Sequence, residues 1–139
     1  MSTATRWLAV VLTVCGLGVG AVVWTMAEES RALSPVPISV WQPISGVQVT
    51  STVAHPGTDC CESRSADREL WLAVAGAQGQ EALHLVSSGM VAHGWQPTEC
   101  LPKFHEVCLA RDGYFAKVHD AGTSDKDRAN VLVTIERQP

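Results

Sequence analysis

Cysteine and histidine supply the sulfur and imidazole groups here that can act as nucleophiles, redox partners or metal ligands, and most of them fall into two groups. His55, Cys60 and Cys61 form the first, and Cys100, His105 and Cys108 the second. Sulfur and imidazole ligands together suit copper(I) or zinc. No pair among them has the C-x2-C or H-x3–5-H spacing of a structural zinc site. Outside the cytoplasm, free thiolates at these positions would also be open to oxidation. In an oxidising compartment, four cysteines in a small domain therefore read first as two disulfides. Metal binding through these Cys and His residues is the alternative.

Geometry limits the pairing. Adjacent Cα atoms stand about 3.8 Å apart, short of the roughly 4.4–6.8 Å that a relaxed bridge spans. A Cys60–Cys61 bond is set aside on that ground, and a fully paired scheme then loses Cys100–Cys108 as well. Both remaining schemes join the polar loop around Cys60 and Cys61 to the segment around Cys108. A single Cys100–Cys108 bond, with free thiols at Cys60 and Cys61, is the second arrangement. His84 and His93 are nine residues apart, more than two helical turns, so they make no ligand pair. The bland reading, a surface or half-buried imidazole, serves for them and for His119.

Motifs for enzymatic chemistry are missing. The chain has no G-x-S-x-G elbow, no H-E-x-x-H, no phosphate-binding glycine loop and no C-x-x-C pair. Glu99, Glu106, Asp120 and Asp125 are scattered through expected loops, where a solvated carboxylate is the default. The expectation is a non-enzyme, with no catalytic residue, metal ligand or cofactor assigned.

The elements that must position these groups are legible from periodicity. Val47 to Val53 alternates and is β-branched, which favours a strand ending at His55-Pro56-Gly57. Leu70, Leu72 and Val74 alternate with Trp71, Ala73 and Ala75, a strand with two buried faces or one broad one. Gln80 to His93 has helical spacing, with Ala82, Leu83, Val86, Met90 and Val91 on one side and Gly94 placed as a C-cap. Trp95 resumes extended structure. Asp112-Gly113 suits a type I′ turn, pairing Leu109 with Ala116 and Val107 with Val118. Val131, Val133 and Ile135 mark a last strand. The order strand, strand, helix, strand, hairpin, strand predicts an α+β domain with one helix packed on a mostly antiparallel sheet. Trp71 and Trp95 read as core residues, and Trp41 as the exposed one.

The start of the chain has a different character. Trp7 to Met26 holds no charged residue, and twenty residues of helix span roughly the 30 Å hydrocarbon core. Trp7 and Trp24 sit near its ends, where aromatic rings favour the bilayer boundary. Arg6 precedes the run and Glu28 and Glu29 follow it, which puts the N-terminus in the cytoplasm. The expected organisation is a cytoplasmic 1–6, a transmembrane helix 7–26, an extended Pro-containing tether 27–45 and an extracytoplasmic α+β domain 46–139. Thr25-Met26-Ala27 loosely matches a cleavage site, but the apolar run exceeds a signal peptide's usual length. Cys15 lacks a proper lipobox, because Val14 stands where a small residue belongs. Setting aside Arg6 leaves nine basic against fourteen acidic residues, no footprint for nucleic acid. The membrane is thus the one expected partner besides a possible envelope protein, with no ligand indicated.

The anchor followed by "LWLAVAG", a helix leading to "HGW", and "CLARDGYFAKV" resembles short single-pass membrane-anchored envelope proteins of high-GC Gram-positive bacteria. The resemblance covers about the last seventy residues besides the anchor. It implies the same architecture and compartment and carries no catalytic residues.

Overall fold

The computed structural model describes residues 33–58, 65–100, 106–122 and 128–138. The expectations for 1–32, Cys15, Cys60, Cys61, His105 and Asp125 lie outside the described residues. Among the described residues no helix is long and apolar enough to cross a membrane.

Six strands form one antiparallel sheet: β1 (Val47–His55), β2 (Asp67–Val74), β3 (Gln96–Thr98), β4 (Val107–Arg111), β5 (Tyr114–Asp120) and β6 (Val131–Arg137). Their order across the sheet is β1-β2-β6-β5-β4-β3. The β1–β2 hairpin comes first, and helix α1 (Gly79–Ala92) then carries the chain to the far edge. From there β3 to β6 meander back until β6 pairs with β2. The element order is the one expected, with one helix on an antiparallel sheet.

Alternation gives the sheet two unlike faces. Leu70, Leu72, Val74, Leu109, Ala116, Val118, Val131, Val133 and Ile135 point to the inner face and are all buried. Helix α1 lies over β4 and β5 and adds Ala82, Leu83, Val86 and Met90 to the same core. Val91 does not join them; it is 42% exposed. One residue past Met90, it is turned about 100° away from the buried stripe. Ser87, four residues before Val91, is buried instead and donates its hydroxyl hydrogen to the His84 carbonyl.

The helix stops as its sequence dictates. Gly94 adopts φ +89°, its N–H donates to the Val91 carbonyl, and the Trp95 N–H donates to that of Met90. These are the two bonds of a Schellman cap, which requires a residue tolerant of positive φ. The cap turns Trp95 straight into the core, where it is 1% exposed. At the other turn, Asp112 and Gly113 both have positive φ and set the expected register, Val107 opposite Val118 and Leu109 opposite Ala116.

The expected tether needs correction. Its described part, residues 33–45, is a strap across the inner face. Val36 and Val40 are buried, and so is Trp41, which had been expected to be exposed. Ile38–Val40 forms a short 3-10 turn within the strap. The physical reason is apolar area: burying a Val side chain contributes about 1.5–3 kcal/mol, and the side chains of 36, 40 and 41 face a core that α1 alone does not cover. Two arginines hold the strap by its carbonyls: Arg68 donates to Val36, and Arg111 donates to Val40 at 2.8 Å. Arg111 also donates to the His93 carbonyl and stacks 4.9 Å from the Trp95 ring centroid. Gly89 fits beneath the strap: a Cβ there would stand 2.6 Å from Ile44 Cγ2, so any side chain would force Ile44 to move. Its place within a helix, a cost by propensity alone, is explained by that contact.

Candidate functional site

The outer face carries the remaining chemistry, because every strand sends alternate side chains there. On β2 and β6, Trp71 and Leu132 gather with Ala121 and Ala129 into a small second cluster, so β2 is indeed buried on both faces. Around that cluster the face carries two cross-strand polar pairs. His55 Nδ1 and Asp67 Oδ1 are 2.6 Å apart across the β1–β2 pair. Lys117 Nζ donates to Glu136 Oε1 at 2.8 Å across β5 and β6, and the same ammonium lies 5.7 Å from the Phe115 ring centroid.

The corner formed by β3, β4 and β5 concentrates sulfur, carboxylate and imidazole. Cys100 and Cys108 are joined in a disulfide, with Cα atoms 5.5 Å apart. Register explains the pairing. Thr98 stands opposite Cys108 on antiparallel strands, and Cys100 follows two residues later on the same face. The bridge therefore closes the β3–β4 connection on itself. This corrects the two-bridge expectation, in which Cys100 and Cys108 each paired with Cys60 or Cys61. Requiring all four thiols to pair had eliminated the local bond that the hairpin makes geometrically easy. The second arrangement has the bond that forms.

Glu106 lies two residues before Cys108 and is half-buried, where a solvated loop carboxylate had been expected. Potential ligand atoms of Cys100, Glu106 and Cys108 all lie within 4.8 Å of one another. His119 on β5 completes the corner, with Nδ1 3.7 Å from Glu106 Oε1. That nitrogen is buried and has no hydrogen-bond partner, since 3.7 Å exceeds hydrogen-bonding reach. While the disulfide is intact its sulfurs are not thiolates, the form in which cysteine binds a metal, so Glu106 remains the only anionic donor of the three.

The other histidines stand apart from this corner. His84 is exposed on α1, and His93 caps its end with Nε2 3.2 Å from the Pro43 carbonyl. His55 belongs to the β1–β2 end of the sheet. Glu99 and Asp120 are exposed, and Asp120 accepts a hydrogen bond from the Gly122 N–H at 2.8 Å. Sequence reading missed Asp67 as the partner of His55 and Glu106 as the neighbour of both sulfurs. The available signal was strand alternation: 106 and 108 share a face, and 55 and 67 flank one hairpin loop.

Comparisons with protein-family models, with curated proteins and with solved structures found no match.

Proposed function

We propose that this chain is a non-enzymatic binding or accessory module of the cell envelope, tethered to the outer side of the membrane by residues 7–26. The observation that carries the reading is the Cys100–Cys108 disulfide. Persistent disulfides belong to oxidising compartments, and this one follows an uncharged run of membrane-spanning length with acidic residues on its C-terminal side. The bond's position also fits a staple: it secures a three-residue edge strand whose residues are all exposed.

The test uses the full chain in its native membrane. Intact cells or right-side-out vesicles are treated with a protease and, separately, with a membrane-impermeant maleimide before and after reduction. Cleavage of the domain from outside, together with labelling of Cys100 and Cys108 only after reduction, is the expected result. A domain that is protected until the membrane is opened, or that labels at Cys100 and Cys108 without reductant, would sink the reading.

A further inference from the structure

We infer that the β3–β4–β5 corner is a reduction-gated zinc site, formed by Cys100, Glu106 and Cys108 once their disulfide is opened. The inference goes beyond the tether reading and does not depend on which side of the membrane the domain occupies.

Three observations converge on it. The sulfurs of Cys100 and Cys108 and a Glu106 oxygen already lie within 4.8 Å of one another. In a tetrahedral zinc site with bonds of about 2.0–2.3 Å, neighbouring ligand atoms are about 3.3–3.8 Å apart. The Glu106 oxygen therefore has at most about 1.5 Å to close onto an ion held by the two thiolates, with no change of strand register. Second, the carboxylate is half-buried and backed by an imidazole. His119 Nδ1, buried and without a hydrogen-bond partner, stands 3.7 Å from Glu106 Oε1. Metal-bound carboxylates and imidazoles are commonly oriented by such outer partners. Third, the cation across the strand pair is already neutralised: Lys117 faces Cys108 in the β4–β5 register, and its ammonium is held by Glu136.

The chemistry balances. A protein dithiol supplies two electrons and two protons, cleaving the Cys100–Cys108 S–S bond and becoming a disulfide itself. The two thiols then lose their protons to solvent as zinc binds. The zinc ion undergoes no redox change. Two thiolates and one carboxylate leave the fourth position to water. A carboxylate donor favours zinc over copper(I), which prefers softer ligands. His119 acts one step out, as the residue that positions Glu106.

The experiment uses the full chain in detergent, carrying Cys15→Ser, Cys60→Ser and Cys61→Ser so that only the relevant pair can respond. Zinc is titrated into oxidised and dithiol-reduced protein while far-ultraviolet circular dichroism follows the fold. One equivalent bound by the reduced form and none by the oxidised form is expected. Bound zinc should also protect Cys100 and Cys108 from maleimide. His119→Ala should weaken binding about ten- to a hundredfold, and Glu106→Gln by more, since it removes a ligand. Both should leave the melting temperature of the oxidised, zinc-free chain unchanged. In cobalt-substituted protein, His119→Ala should retain the thiolate charge-transfer band, as a positioning role requires. Equal binding by the oxidised form, no stoichiometric binding after reduction, or loss of the sheet on reduction would each overturn the inference.

Discussion

The two faces of the sheet are built by opposite rules. The inner face is continuous and apolar. Nine strand side chains meet four from α1, three from the strap and Trp95, all buried in one cluster. The outer face has a four-residue apolar cluster surrounded by paired polar groups. Stability therefore concentrates on one face, while the groups capable of chemistry sit on the other, where altering them disturbs little packing. The disulfide is the exception: it lies on the outer face and still restrains the chain.

Perturbing each face in turn tests this division. Trp95→Ala should have the largest effect, about 3–5 kcal/mol, because it opens a cavity in the inner core. It also removes the ring on which Arg111 stacks. Chemical denaturation of the full chain in detergent measures this loss. A loss below about 1 kcal/mol would mean that the strap and helix do not form one cooperative unit with the sheet.

Replacing Cys100 and Cys108 with Ser should come next, at about 2.5 kcal/mol from the short loop that the bridge closes. Such a loss is a fraction of the about 5–15 kcal/mol typical of a folded domain, so the sheet should persist. The melting temperature should fall and the circular dichroism spectrum should keep its native shape. A spectrum of an unfolded chain would show that this outer-face bond belongs with the inner core in importance.

Glu136→Gln should matter least, about 0.2–1 kcal/mol, since the pair it breaks with Lys117 is about a third exposed on both sides. Its effect should shrink further as salt is raised. A salt-independent loss of several kcal/mol would overturn the picture of an outer face that tolerates change.

The contrast between the faces also explains what could be read in advance. Element order, the β4–β5 register and the helix stop were legible because each rests on local chemistry. Asp112 and Gly113 tolerate the positive φ of their turn, Gly94 tolerates that of the cap, and period-2 alternation marks the strands. The strap was not legible. Proline spacing around Val36 describes an extended tether and a packed strap equally well, and only the uncovered part of the inner face distinguishes them. The disulfide was half legible: its two residues were among the four candidates, but its pairing depended on β3 lying beside β4. Gly89 shows the same limit, since helix propensity counts it as a defect while the close approach of Ile44 favours it.

By itself, the sequence determined the α+β class, the order of the elements, the turn and cap that end them and the uncharged run at the start of the chain. These follow from interactions between residues a few positions apart. Tertiary structure alone decided that 33–45 packs as a strap, that Cys100 pairs with Cys108, and that Glu106 and His119 meet beside that bond. Each of those depends on residues brought together by strand pairing or by burial of a shared apolar surface, and no local spacing encodes such a meeting.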